Sequence, residues 1–450
     1  MKRINTYLFL LLGLDIIFAL LIGVIGSFLG YEWQINTITT TVWSLFERKY
    51  GDDSWKVMGI AWQYWLDHNK DVALYSEMLI KDGIKFIYPP NTLLIIKYLL
   101  EFQTDFNVFF TGVARFFLLV NIAAVALVAF RSLKLFDDQS DTSSWLDKTV
   151  FIFLAGLFTL VYYPIGVAIS LGQSQAWLNA LFAVALLCYM TGHAGLAGIF
   201  IGIMASFKPQ YGLFLIWGLL RRDWKFIMAI LSSALVIVIW GALEFGIFTY
   251  FDYLKALGYL SKHGEAFMSN QSVNGLLNRF LSVSHPDSFN NVRWLARYYP
   301  PYIVWVYLGT MLSSLVLIGF SIFGKSKQGG YISYVDFCIM GLGSTMASPI
   351  AWEHHYGILL PILALLGPLF WFSKTKFNIP FYRVLFIMLY LISGNLFWFL
   401  REWAYTYWNF VQSLLFFAAG GMFLLMLKIR YSNQFEFIEN DNNSDMEKIK

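Results

Sequence analysis

Charged side chains are scarce in this sequence. Only 13% of its 450 residues are Asp, Glu, Lys or Arg, whereas about a quarter would be charged in a soluble protein. The chain is 58% hydrophobic and 19% aromatic, so it has too little polar surface to face water on all sides. Repeated apolar runs of about 20 residues indicate instead an all-α polytopic membrane protein that lies in the lipid bilayer.

Cysteine is nearly absent, and several common chemical motifs are missing. Cys188 and Cys338 both fall within apolar runs, which is typical of small core residues and indicates neither a disulfide framework nor a metal site. A Rossmann glycine fingerprint and a P-loop are both missing, which argues against a nucleotide donor bound in those ways. A serine-centred nucleophile elbow is missing too. We expect no cofactor and no nucleic-acid partner.

The chain shows no internal repeat and no low-complexity linker. This predicts a single domain over residues 1–430. Residues 431–450 are rich in Asn, Asp and Glu, and we expect them to form a disordered cytoplasmic tail.

The placement of basic residues predicts the topology. Lys2 and Arg3 precede the first apolar run, which places the N-terminus in the cytoplasm under the positive-inside rule. Later basic clusters fall on the same side, so both termini are expected in the cytoplasm of a plasma-membrane protein. We expect two half-helices broken at Lys208-Pro209. About twelve helices are predicted, near residues 7–29, 106–130, 148–171, 174–191, 194–207, 210–220, 226–247, 302–323, 331–347, 356–373, 380–399 and 408–427.

Two long segments, about 30–105 and 248–301, then fall on the outer side. In the first, apolar residues recur at helical spacing, which predicts an amphipathic helix on the membrane surface. The stretch 91–102 is too short to span a bilayer and is expected to lie similarly. The apolar residues of the amphipathic helix are Trp55, Met58, Trp62, Trp65 and Leu66.

Six polar interruptions of the apolar pattern are all assigned to this outer face. Polar and titratable groups at the edge of a bilayer are costly, so a cluster of them indicates a functional site. Each alone could be a loop or a helix cap, and their convergence carries the prediction. The six are Asp52-Asp53, Tyr88-Pro89-Pro90, Gly172-Gln173, Lys208-Pro209-Gln210, residues 270–279 and residues 348–355.

The two aspartates allow two interpretations. Asp52 and Asp53 follow Gly51 just before the amphipathic helix, where an acidic residue can cap the helix and favour its dipole. Alternatively, one carboxylate is a general base that takes a proton from an attacking hydroxyl.

The basic residues are also open to two interpretations. Lys208 and Arg279 could extend their charges to the interface, or they could bind a phosphate. His354 and His355 are adjacent, so on a helix they diverge by about 100°. This argues against a metal site made of the pair, since helical metal sites use spacings of three or four. Either imidazole could donate a hydrogen bond to a phosphate.

The order of these features resembles glycosyltransferase family 87. The shared features are an acidic residue after the first helix, YPP, GQ before a helix, KP, NQSVNGLLNR and SPIAWEHH, over roughly residues 10–375. The resemblance implies a GT-C fold and a polyprenyl-phosphate-linked sugar donor used outside the cytoplasmic membrane. It also implies that an aspartate, best matched by Asp53 and less well by Asp52, is the catalytic base.

The resemblance further implies roles for the other outer-face residues. His354 or His355, with Lys208 and Arg279, would handle the donor phosphate. The residues expected to bind substrate are Tyr88, Gln173, Asn270, Gln271 and Trp352.

The expected reaction is inverting, metal-independent transfer of a hexose, mannose, to a glycan or glycolipid acceptor. A transporter or flippase of a lipid-linked saccharide is the main alternative, because it would use a similar basic, aromatic cavity. Transporters place their sites near the bilayer midplane, often between repeated halves. A structural membrane subunit is the third possibility.

Overall fold

The computed structural model describes residues 1–30, 37–42, 46, 50–68, 72–102, 105–136, 143–281, 299–324 and 330–432. About 82% of the described chain is helical and no strand occurs in it, which confirms the all-α class. The predicted disordered tail lies almost wholly outside the described residues. The division into one domain and a tail therefore stays a prediction.

The α-helices are numbered from the N-terminus. Within the described ranges they are α1 (Lys2–Phe28), α2 (Thr37–Thr41), α3 (Asp53–Asp67), α4 (Leu93–Glu101), α5 (Phe106–Lys134), α6 (Trp145–Val161), α7 (Tyr163–Ser170), α8 (Gln175–Met190), α9 (Ala194–Phe207), α10 (Leu213–Arg221), α11 (Trp224–Phe245), α12 (Ile247–His263), α13 (Val273–Leu281), α14 (Val304–Ile322), α15 (Gly330–Met346), α16 (Leu359–Phe372), α17 (Pro380–Gly394) and α18 (Leu414–Arg430). A π-helix covers Ser76–Lys81, and 3₁₀ helices cover Pro90–Thr92, Pro209–Gly212, Glu353–Ile358, Trp398–Tyr405 and Tyr407–Ser413.

Several of these helices are long and apolar enough to cross a membrane. Within the described residues there are six such segments: α1, α5, α11, α14, and α16 and α18 with the 3₁₀ turns before them. The number rises to eight if each of two bent pairs is one span. A multi-pass membrane protein is therefore supported. The predicted count of about twelve spans is not confirmed, because α8 and α9 have only 16 and 14 residues.

Proline explains two departures from the predicted helices. The predicted helix 148–171 is divided into α6 and α7, which meet at an angle of 59°. Tyr162, between them, is extended and Pro164 follows; proline has no N–H to continue a helical ladder. The break at Lys208-Pro209 is confirmed, since Lys208 is extended between α9 and a 3₁₀ turn. A residue before proline prefers that conformation.

The predicted amphipathic helix is confirmed as α3, but its apolar face packs on protein. Trp55, Met58, Trp62 and Trp65 are buried in a second hydrophobic core with residues from α4, α12 and the segment between α3 and α4. The prediction that this face lies on the membrane is therefore wrong. Since α3 and α12 share one core, the two long segments assigned to the outer side come together.

The main hydrophobic core includes the helices that carry two motifs of the candidate site. It contains residues of α5, α8, α9, α15, α16 and α18, with α5 packed against both α8 and α16. The N-terminal ends of α8 and α16 carry the GQ turn and the histidine segment, respectively. Packing of these helices therefore fixes the spacing between the two motifs.

Candidate functional site

The aspartate pair lies where the backbones of two distant segments touch. Gly51 N donates to Ser170 O at 2.8 Å, and Asp53 N donates to Leu171 O at 3.1 Å. Gly172 has φ +65, and a Cβ there would lie 1.7 Å from the Gly51 carbonyl oxygen. Only glycine fits this combination of positive φ and close approach. The contact therefore fixes the start of α3 against the turn after α7.

The Asp53 side chain points into a hydrogen-bond network. Its Oδ2 accepts from Gln173 Nε2 at 3.2 Å, and Gln173 Oε1 accepts from Ser54 Oγ at 2.9 Å. The Ser54 and Tyr88 hydroxyl groups lie 2.7 Å apart. Three of the predicted polar segments thus meet at one carboxylate. Asp52 is exposed, and although it occupies the N-cap position of α3, its side chain makes no capping hydrogen bond.

The surroundings of Asp53 alter its acidity. Burial raises the pKa of this half-buried carboxyl above its usual value, and the neighbouring charge of Asp52 raises it further. The hydrogen bond from Gln173 and the charge of Lys56 lower the pKa in part. A carboxylate with a raised pKa is a stronger base while it stays ionised.

The NQSVNGLLNR and SPIAWEHH motifs pair with each other. Asn270 and Trp352 form an isolated antiparallel bridge, and Gln271 N donates to Ala351 O at 2.8 Å. Asn270 Nδ2 donates to Pro349 O at 3.1 Å, while its Oδ1 accepts from Ala351 N at 3.0 Å. The two motifs, nearly eighty residues apart, therefore form one structural unit.

The Trp352 ring is held by an acidic side chain. Its Nε1 donates to Glu265 Oε2 at 2.6 Å, and the other Glu265 oxygen accepts from Lys85 Nζ at 2.6 Å. The rings of Trp352 and His354 meet edge to face, with centroids 5.5 Å apart. Glu265 thus orients Trp352, and Trp352 supports His354.

The two histidines lie in the 3₁₀ helix Glu353–Ile358 and have different partners. Lys208 Nζ and His355 Nε2 form a hydrogen bond whose donor depends on the imidazole tautomer, and burial lowers the pKa of Lys208 well below its usual value. Nδ1 of His355 is buried without a hydrogen-bond partner in the described part of the chain. The His354 carbonyl accepts from Asn179 Nδ2 at 3.1 Å. His355 is therefore the imidazole that contacts Lys208.

Arg279 is placed differently from the expectation for a phosphate ligand. The residue is fully buried, and its Nη1 donates to Phe267 O at 2.9 Å. Its Nη2 donates to Ser413 Oγ at 2.6 Å and to Asn270 O at 3.1 Å. Burial lowers the pKa of Arg279 to about 9, which still leaves the guanidinium charged at neutral pH. Its hydrogen bonds tie the NQS turn to the segment before α18.

The Gln271 amide is likewise bound to protein groups. Its Nε2 donates to Met268 O at 2.6 Å and to Gln412 O at 2.7 Å, and its Oε1 accepts from Phe416 N at 3.1 Å. The Asn270 amide is engaged as described above. The structure thus presents neither amide to a ligand, and substrate binding by them stays a prediction.

Two sets of hydrogen bonds join the elements that carry the polar segments. On one side Asn91, just after the YPP motif, donates from Nδ2 to Ser206 O at 2.8 Å. On the other, Gln175 Nε2 donates to Asn179 Oδ1 at 2.8 Å, and Asn179 holds the histidine segment. These bonds hold the segment after YPP against α9, and α8 against the histidine segment.

The described residues show no group of three or more His, Cys, Asp or Glu side chains arranged to hold a metal ion. Glu353, which could have joined Asp53 and the histidines in such a site, accepts from the Tyr163 hydroxyl at 2.8 Å. Its Oε2 also accepts from Ser269 Oγ at 3.4 Å.

Sequence reasoning missed several residues of the site. Ser54 follows the aspartates directly and could have been noticed for that reason. Glu265 is an isolated acidic residue before the NQS motif. Asn179 and Tyr163 lie within apolar runs, and a polar group in such a run was the available signal.

A family model supports the resemblance. The model of glycosyltransferase family 87 matches residues 86–349, which include Tyr88, Gln173, Lys208 and Arg279 but neither the aspartate pair nor the histidine pair. No curated protein and no solved structure matches the chain. Because the family model covers more than half of the sequence, the chain belongs to glycosyltransferase family 87, a family of membrane glycosyltransferases.

Proposed function

We propose that this glycosyltransferase moves a hexose, mannose, from a polyprenyl-phosphate donor to an acceptor hydroxyl on the outer side of the plasma membrane. The fold would be of the GT-C type. The observation that carries the proposal is the Asp53 carboxylate, which is half-buried and bound by the Gln173 amide. The turn that carries Gln173 leads into α8, whose Asn179 binds the backbone of the histidine segment next to His355.

In the proposed reaction, Asp53 takes the proton of the acceptor hydroxyl. The hydroxyl oxygen then forms a bond to the anomeric carbon while the bond between that carbon and the phosphate oxygen breaks. The bonding electrons leave with the phosphate, and the proton stays on Asp53. Attack opposite to the leaving group inverts the configuration at the anomeric carbon. The raised pKa of Asp53 suits this role because general bases work best when their pKa approaches the operating pH.

Lys208 and His355 would stabilise the departing phosphate. Burial lowers the pKa of Lys208, and a bound phosphate would favour its protonated form, which has three N–H donors. His355 Nε2 can accept one of them. The remaining donors can bind phosphate oxygens as charge accumulates there. Fixed cations in a water-poor site contribute strongly to this kind of stabilisation. In this proposal Tyr88 and Gln173 position the base, while Arg279 and Trp352 hold the backbone that carries the histidines.

The decisive experiment compares Asp53→Asn and Asp52→Asn in proteoliposomes supplied with polyprenyl-phosphate mannose. Loss of a general base lowers the rate by about 10²–10⁴, so Asp53→Asn should lose transfer, whereas Asp52→Asn should keep it when the acceptor is saturating. Asp67→Asn, at the exposed end of the same helix, is the matched control. Near-normal transfer by Asp53→Asn would refute the assignment of the base.

We also propose that transfer needs no metal ion. Activity should persist after treatment with a chelator, because a lysine and a neutral imidazole can serve the phosphate. Activity that disappears on chelation and returns with one divalent cation would contradict this part of the proposal.

A further inference from the structure

A groove follows one face of α3 away from Asp52. It has a volume of about 440 Å³ and lies between α3, α4 and the first turns of α5. Asp52, Lys56, Gly59 and Gln63 line it, at spacings of four, three and four residues that bring them to one side of a helix. At 1.5 Å per residue this face is about 16 Å long, which suits an extended ligand.

The lining of the groove combines polar and aromatic groups. A carboxylate, an ammonium and the amides of Gln63 and Asn107 provide hydrogen-bond donors and acceptors, and aromatic rings provide much of the apolar surface. Aliphatic surface is added by Ile60, Ile96 and Leu100. A second cavity, of about 280 Å³ between α1, α5, α6, α16 and α17, is lined almost wholly by apolar side chains. The two cavities thus suit ligands of different chemistry.

The mixed lining selects among the possible ligands of the groove. A hydrocarbon chain would remove Asp52 and Lys56 from water without giving them partners, which is costly. A polyanion would meet one negative and one positive side chain, and therefore no excess of positive charge. A saccharide suits both the aromatic and the polar side chains of the groove, because its C–H faces pack on aromatic rings and its hydroxyl groups form hydrogen bonds with charged groups and amides.

We infer that this groove binds the saccharide portion of the acceptor and directs its reacting hydroxyl toward Asp53. The inference rests on the proposed transfer reaction. The groove begins at Asp52, the residue before the proposed base, so one end of an acceptor lying in it would be one residue along the chain from Asp53, which does not itself line the groove. Asp52 then serves acceptor binding, and Asp53 serves the chemistry.

Gly59 lies in the middle of the groove. A Cβ there would meet no atom within 4 Å, so the missing side chain leaves the centre of the groove open.

The test is to fill the groove with Gly59→Phe. Membranes from a strain that lacks the protein supply the acceptor, and the label transferred from polyprenyl-phosphate mannose is measured as the amount of acceptor membrane is varied. Gly59→Phe should raise the amount required for half-maximal transfer by at least about 10-fold, or 1.4 kcal/mol. Hydrolysis of the donor by water should not change. Gly59→Ala should behave like the unaltered protein.

Gly258→Phe is the matched control for added bulk. Gly258 lies in α12, a Cβ there would also meet no atom within 4 Å, and it does not line the groove. If Gly59→Phe and Gly258→Phe give the same acceptor curve as the unaltered protein, the groove is not the acceptor site. If the unaltered protein transfers no label at all, the proposed function itself fails, so the two failures are distinguishable.

Discussion

Replacing Gly172 by alanine should lower the rate of transfer by displacing the backbone that carries Asp53. The substitution places a methyl group 1.7 Å from the Gly51 carbonyl oxygen, whereas real Cβ contacts are not shorter than 3.0 Å. The two backbones must therefore separate by more than about 1 Å, and Asp53, two residues after Gly51, must move with them. A displacement of about 1 Å can cost about 10² in rate. We expect a loss of transfer of that order.

A second glycine separates this effect from backbone strain. Gly192, between α8 and α9, also has a positive φ, of +78, but a Cβ there would meet no atom within 4 Å. Alanine in a left-handed conformation costs roughly 1–2 kcal/mol at either position, whereas only Gly172→Ala adds the collision. Transfer in proteoliposomes and thermal unfolding in detergent should be measured for both variants. Equal activity of Gly172→Ala and Gly192→Ala would refute the reasoning.

Two further predictions concern the charges of the site. The charge of Asp52 raises the pKa of Asp53, and the base works only when it is ionised. Asp52→Asn should therefore lower the pKa of Asp53 and move the acid limb of the pH profile of kcat/KM to lower pH. An acid limb that stays in place or moves to higher pH would contradict this prediction. Arg279→Lys should lower the midpoint of thermal unfolding, because each hydrogen bond lost from a charged group costs about 1.5–3 kcal/mol, while the KM for the donor stays unchanged. A raised donor KM without loss of stability would instead make Arg279 a phosphate ligand.

The features of the sequence that depend on local chemistry predicted the structure well. The bounds of α9 were predicted correctly, and the break at Lys208-Pro209 followed from the restrictions that proline imposes on itself and on the residue before it. The same restrictions act at Tyr162-Tyr163-Pro164, where the predicted helix is divided. Proline after two aromatic residues in an apolar run was the signal.

The features that depend on distant contacts could not be predicted in the same way. An aromatic stripe on α3 has the same periodicity whether it faces lipid or a protein core. The positions of residues such as Trp62 in the sequence therefore could not distinguish packing on the membrane from packing on protein. Arg279 and Asn270 are residue types that serve ligands and backbone turns equally well. Their actual partners are carbonyl groups and amides whose positions only the folded chain defines. Contacts between polar segments could be predicted, but the partner of each side chain within them could not.

The pairing of the NQS and SPIAWEHH motifs also constrains how the family can diverge. The Asn270 side chain binds the backbone of Pro349 and Ala351, and Ser272 Oγ donates to Pro349 O at 2.9 Å. These contacts use main-chain atoms of residues 349–351, so they constrain the side chains of Asn270 and Ser272 and not those of their partners. Ile350 and Ala351 are nevertheless buried in the hydrophobic cores. Relatives should therefore keep Asn270 and Ser272, and should accept at positions 350 and 351 only residues whose size fits the core.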